Sequence, residues 1–196
     1  MTKEQELIEK AWAIAHAFLK DGNHDINHIR RVLNNAITIW KTEGGNIFAI
    51  KIASILHDIG RPIETLTGED HAKISAQIAK RLMSLWNVGE DIQNMVYDAI
   101  YNHRFSNKQE PKTIEGKILS DADKLDAIGA IGIARVFKHN CLRTIEEDLQ
   151  HFYEKILKLP QYMYTETGYK LATKRIKLVK LFIKQLEEEI DVVHKT

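Results

Sequence analysis

The chain has 196 residues, 44% apolar and 28% charged, with 28 basic side chains against 27 acidic ones. That length suits one domain with a core large enough to need no staple; the apolar share excludes a disordered chain, and the balanced charge excludes a histone-like nucleic-acid binder. One cysteine, Cys141, offers no internal disulfide, and a polar, acidic opening with no apolar run of about 18 residues predicts a cytoplasmic protein without a membrane span.

Ten glycines and three prolines are too few for the frequent turns of a sandwich or barrel. Apolar residues recur at helical spacing instead, which predicts an all-α bundle of six to nine helices. The first helix is expected over 3–20, opened by a capping box at Thr2 and Gln5. A second spans 25–43, carries Ile29, Leu33 and Ile37 on one side, and stops at Gly44-Gly45. The third, 46–58, has so little polar surface that it must be buried. Residues 59–69, with Gly60, Pro62 and Gly68, read as a loop. Helices then follow over 70–86 and 90–103, a polar loop over 104–112, and a helix over 113–138 with a break near Ser120. Thr144 and Glu147 form a second capping box, Pro160 ends that helix, and the last helix covers 167–192. The expected organisation is one domain over 1–196, with a motif-bearing core at about 20–135 and a helical extension at about 140–196.

The chemistry concentrates in nine histidines and a few aspartates. His57-Asp58 closes the most apolar helix, where burying an imidazole beside a carboxylate is costly unless each finds a partner. A divalent cation would serve both, and so would a plain His–Asp hydrogen bond. His28 lies on the apolar side of the second helix; His24, four residues earlier, shares its face if the helix reaches that far, and Asp25 suits an N-cap. Ser120-Asp-Ala-Asp-Lys-Leu-Asp-Ala-Ile-Gly129 looks superficially like a calcium loop. It has Leu125 and Asp126 where an EF-hand needs Asp or Asn and then Gly, so calcium is excluded. On a helix, Asp121 shares the apolar face with Leu125, while Asp123 and Lys124 point elsewhere.

Taken in order, His28 before Arg31-Val32, the His57-Asp58-Ile-Gly60 doublet, and Asp121 through Arg135 resemble the HD-domain metal-dependent phosphohydrolases, in particular small stand-alone bacterial and archaeal members. The resemblance covers roughly residues 20–135. It implies an all-helical bundle in which His28, His57, Asp58 and Asp121 hold one divalent cation, with Mn, Fe, Co, Ni or Zn ahead of Mg. His71 and His103 match the interval where some members bind a second metal. Phosphate contacts or a general acid are the alternatives for them, and the small stand-alone pattern favours a single cation. A bound cation activates water and polarises a phosphoryl oxygen. Asp58, Glu64 and Asp70 are therefore candidates for catalytic roles, and Arg61, Lys124, Arg31 and Arg104 for phosphate binding.

The function so implied is hydrolysis of a small phosphorylated substrate, with a nucleotide as first choice. A phosphodiesterase acting on cyclic dinucleotides or single-stranded nucleic acid and a non-catalytic nucleotide- or nucleic-acid-binding module are the alternatives. No Gly-x-Ser-x-Gly elbow, thiol triad, Walker loop or dinucleotide fingerprint competes. Lys170, Lys174, Lys177, Lys180 and Lys184 line one arc of the last helix, opposite Ala172, Ile176, Val179, Ile183 and Leu186. A solvated face explains this stripe; nucleic-acid phosphates are the weaker reading, since Glu187, Glu188 and Glu189 follow it.

Overall fold

Ten residues, Phe48 through Leu56 with Ile47 before them, form the helix around which the others assemble. In the computed structural model, which describes residues 1–19, 25–104, 110–139 and 143–194, every residue from Phe48 to Leu56 except Lys51 is buried. His24 and Cys141 lie outside the described residues. This helix, α3 (Ile47–Leu56), follows α1 (Lys3–Phe18) and α2 (Ile26–Glu43), and all three carry side-chain N-caps: Thr2, Asp25 and Asn46. Four isoleucines in ten residues are poor helix formers, at about 0.5 kcal/mol each. Complete burial of Ile50, Ile52 and Ile55 returns roughly 1.5–3 kcal/mol apiece, so packing decides the conformation. α1, α2, α6 (Glu90–Tyr101) and α7 (Ile114–Asp126) surround α3, and α5 (His71–Leu85) packs along α6.

The stretch 59–69, expected as a loop, contains a helix, α4 (Arg61–Thr67). Its glycines and proline punctuate it at both ends: Pro62 occupies the first turn, where a missing N–H costs nothing, and Gly68 ends it with φ +76°. The helix expected over 113–138 is two helices, α7 and α8 (Ala130–His139), and the break falls at Gly129, φ +86°, rather than near Ser120. After it come α9 (Ile145–Glu154), a 3-10 helix over Ile156–Tyr162 that contains Pro160, and α10 (Glu166–His194). Both expected capping boxes are present.

No strand occurs among the described residues, and none of their helices is long and apolar enough to cross a membrane. α10 packs Ala172, Ile176, Val179 and Ile183 inward, against α2, α7, α8 and the 3-10 helix. Its five lysines are exposed, with Lys170 paired to Glu166 and Lys184 to Glu188, which is the arrangement of a solvated face.

Gly60 governs how the turn after α3 meets α5. A Cβ at this position would lie 2.6 Å from the His71 carbonyl oxygen and 3.0 Å from the Ser75 nitrogen, and the Gly60 N–H donates to Ser75 Oγ at 2.9 Å. Backbone atoms cannot yield as a side-chain tip can, so Gly60→Ala is expected to lower stability by about 1–3 kcal/mol. Chemical denaturation measures this, and parental stability would show that the turn can back away from α5.

Candidate metal centre

Five elements bring one donor or more each to a single point. His28 sits in the first turn of α2, where Asp25 Oδ1 accepts its backbone N–H at 2.9 Å. His57 caps α3 and Asp58 follows it in the turn. His71 opens α5, His103 lies just past α6, and Asp123 projects from α7. The four histidines and Asp58 are all buried, at 2% exposure or less.

Each histidine is oriented through its far nitrogen. His57 Nδ1–H donates to the Ser54 carbonyl at 2.8 Å and His103 Nδ1–H to the Ile100 carbonyl at 2.6 Å. His28 Nδ1 meets Asp126 Oδ2 at 2.7 Å, and His71 Nδ1 meets both Glu64 oxygens at 3.0 Å. A carbonyl only accepts, so the first two bonds fix the tautomer and leave Nε2 with its lone pair. All four Nε2 atoms converge on Asp58. His28 and His57 lie 3.5 and 3.6 Å from Oδ2, and His71 and His103 lie 3.3 and 4.0 Å from Oδ1. Asp123 Oδ1 also approaches, 3.4 Å from His28 Nε2.

Charge follows this geometry. Burial pushes the His57, His71 and His103 imidazoles down, His103 to about 3, so these rings are neutral. Burial acts on His28 in the same direction, but hydrogen bonds to Asp126 and Asp58 and the charge of Asp123 outweigh it and raise its pKa to about 9. Burial would raise Asp123, yet the facing His28, His57 and His103 bring it down to about 2. His57, His71 and His103 are thus already neutral and Asp123 already ionised, the forms in which these groups ligate metals, whereas His28 must release a proton as a cation binds.

Two sets of three donors have metal-site spacing, with ligand atoms within 4.8 Å of one another: His28, His57 and Asp58, and Asp58, His71 and His103. The buried Nε2 atoms of His57 and His71 make no hydrogen bond in the protein. An unsatisfied buried acceptor costs about 1–3 kcal/mol, and two converging on one carboxylate are what a cation relieves. The residues fit a divalent metal. Chelation is therefore expected to destabilise the protein: at free metal about 1,000 times Kd its removal costs about 4 kcal/mol. For a chain of this size that is a fall in Tm of roughly 8–16 °C, read by calorimetry with and without EDTA; an unchanged Tm would count against a tight site.

Asp121 is not brought to this cluster. Its carboxylate accepts the backbone N–H groups of Tyr164, at 2.9 and 3.1 Å, and Thr165, at 2.8 Å, and the Thr165 hydroxyl at 2.7 Å. It anchors the start of α10. Sequence reasoning passed over Asp123, and also Asp126, which accepts from His28 and, bidentately, from Arg31 at 2.6 and 3.0 Å and takes a further hydrogen bond from Arg135 of α8. The signal available was their i, i+3 spacing, which lets one helix face hold both nitrogens of a single imidazole.

The remaining candidates separate by their partners. Arg61 Nε donates to Asp58 Oδ1 at 3.0 Å, and its Nη1 lies 3.3 Å from Glu64. Arg104 donates to Asp70 at 2.9 Å and to Glu64 at 3.3 Å. Asp70 is the N-cap of α5, and Glu64 backs His71, so their carboxylates have structural partners. Arg31 is committed to Asp126. Lys124 is 5% exposed, donates to Ser120 Oγ at 2.6 Å and lies 4.5 Å from the Tyr164 ring centre; burial lowers its pKa to about 8.

The HD domain model matches residues 25–128. YpgQ of Bacillus subtilis is 31% identical over 198 residues, spanning 96% of this chain and 94% of YpgQ. Its crystal structure in complex with ADP aligns with a TM-score of 0.77 at 29% identity, covering 96% of this chain and 97% of that one. A predicted HD superfamily hydrolase from an uncultured Thermotogales bacterium aligns with a TM-score of 0.72 at 35% identity over 94% and 97% of the two chains. Ribonuclease Y of Treponema denticola is 33% identical over 125 residues, 64% of this chain but 22% of that enzyme. The chain therefore belongs to the HD domain family and, through it, to the metal-dependent phosphohydrolases.

Proposed function

We propose that the protein hydrolyses a phosphoester or phosphoanhydride bond of a nucleotide in the cytoplasm, using one divalent cation held by His28, His57, Asp58 and Asp123. The observation that carries this reading is the convergence of four imidazole Nε2 atoms on Asp58, split between its two oxygens. When bound, the cation lowers the pKa of water and polarises the phosphoryl oxygen. The YpgQ complex with ADP supports a nucleotide. Mn, Fe, Co, Ni and Zn match the N/O donor set best.

The protein's own groups divide the remaining work. Asp126 holds His28 and fixes its ring. Neutral His71 and His103 offer Nε2 as hydrogen-bond acceptors that orient water, and His71 takes its proton. His71, backed by the Glu64 carboxylate, returns a proton to the leaving oxygen, the pairing typical of an acid–base imidazole. Arg61 and Arg104, 29% and 36% exposed, supply the cationic edge for phosphate oxygens on the same side. Glu64 and Asp70 act through His71 and the α5 terminus rather than as the base.

The test is metal analysis of protein purified without chelators, followed by a nucleotide panel scored for phosphate and pyrophosphate. Metal-dependent release from a nucleotide bears the proposal out; turnover of no nucleotide overturns it. The local similarity to ribonuclease Y favours a second reading, phosphodiester cleavage in single-stranded RNA, which the same protein tests with a labelled oligonucleotide.

A further inference from the structure

The two donor triads are unequal, and the difference lies in one arginine. The His28–His57 side of Asp58 has a second carboxylate, Asp123, 3.4 Å from His28. On the His71–His103 side the second carboxylate, Glu64, meets the far nitrogen of His71, and at the shared oxygen stands Arg61, whose Nε is 3.0 Å from Asp58 Oδ1. That guanidinium occupies the oxygen through which a second cation would bridge. Its position is set from three directions: it is the first residue of α4, its Nη1 contacts Glu64, and Gly60 before it is held to Ser75. Arg104 adds a second positive charge through Glu64 and Asp70.

We infer that Arg61 sets the metal count: its guanidinium stands in for a second cation and keeps the His71–His103 triad free of metal. This rests on the one-cation reading above. The physical argument has two parts. A dication beside a fixed guanidinium meets like-charge repulsion in a site with little water to screen it. The carboxylate oxygen it needs already accepts a charge-assisted hydrogen bond, among the stronger kinds a protein makes. Removing the guanidinium lifts both obstacles while leaving His71, His103 and Asp58 in place. The neutral Nε2 atoms that Arg61 protects are those assigned to water and proton handling, so the same residue keeps them available for that role.

The experiment counts manganese per folded chain at saturating Mn²⁺, by elemental analysis and by electron paramagnetic resonance, in which a bridged pair gives an exchange-coupled spectrum distinct from that of isolated ions. Wild type is expected to hold one uncoupled ion, Arg61→Ala two coupled ions, and Arg61→Lys, which keeps the charge, one. Adding His71→Ala to Arg61→Ala should return the count to one. Two ions in wild type would overturn the one-cation reading itself. One ion in both wild type and a folded Arg61→Ala protein would overturn the role of Arg61 while leaving that reading intact. A second ion that survives in the Arg61→Ala/His71→Ala protein would show that it binds elsewhere, which also overturns the inference.

Discussion

Asp58→Ala protein is expected to purify without bound metal and to hydrolyse its nucleotide substrate at least about 1,000-fold more slowly than its parent. Among the described residues, Asp58 is the carboxylate that faces all four histidines, two through each oxygen. Alanine removes the shared anion from the point where the imidazoles converge, and Asp123 alone is left to balance a dication. Circular dichroism separates loss of the site from loss of the fold, and elemental analysis gives the stoichiometry. A folded variant with parental metal content and turnover would place the reaction elsewhere in the molecule.

Asp121→Asn and Asp123→Asn should have opposite consequences, although the two positions are separated by a single residue. Asp123→Asn removes a ligand charge at the surface of the cluster, where the side chain is 28% exposed. It should weaken metal binding by about 100-fold or more, with turnover falling in parallel, and change the melting of EDTA-treated protein little. Asp121→Asn should keep its metal and lose stability. Its carboxylate serves two backbone N–H groups and a hydroxyl with no opportunity for water to substitute, and an amide NH2 cannot accept from them. The expected loss is about 2–3 kcal/mol, or roughly 4–12 °C in Tm. Metal titration and calorimetry on both variants suffice. Loss of metal from Asp121→Asn with no effect from Asp123→Asn would reverse the assignment.

That pair also marks where the sequence stops being legible. His28 and His57-Asp58 could be read because each sits at a recognisable place, a buried helical stripe and a helix end, where a polar group needs a reason. The choice between Asp121 and Asp123 rested on which helix face is apolar. Burial correctly makes Asp121 an inward residue, fully buried in the structure. What lies inward there is the start of α10, more than 40 residues away in sequence, and no periodicity reveals it. Burial alone does not separate the two aspartates, since His28, His57 and Asp58 are as buried as Asp121; what separates them is the partner each one meets. The partner of Lys124 is hidden for a related reason: the side chain reaches back to Ser120, four residues earlier, and lies against the Tyr164 ring. The helical class, both capping boxes and most helix limits followed from spacing alone. α4 escaped because Gly60, Pro62 and Gly68 signal a turn whether they interrupt a helix or begin and end a short one.

Asp126 joins helices from both sides of the boundary at which the HD domain match ends. It accepts from His28 and Arg31 of α2 and from Arg135 of α8, the last of these beyond residue 128. Asp121 likewise draws its donors from Tyr164 and Thr165. A chain shortened to 25–128 would retain every residue of the histidine–aspartate cluster and yet leave two buried carboxylates short of hydrogen-bond donors. The stretch by which the family is recognised is thus smaller than the stretch over which these hydrogen bonds run. Transplanting the centre into another scaffold would require the first turn of α10 and one arginine of α8 to travel with it.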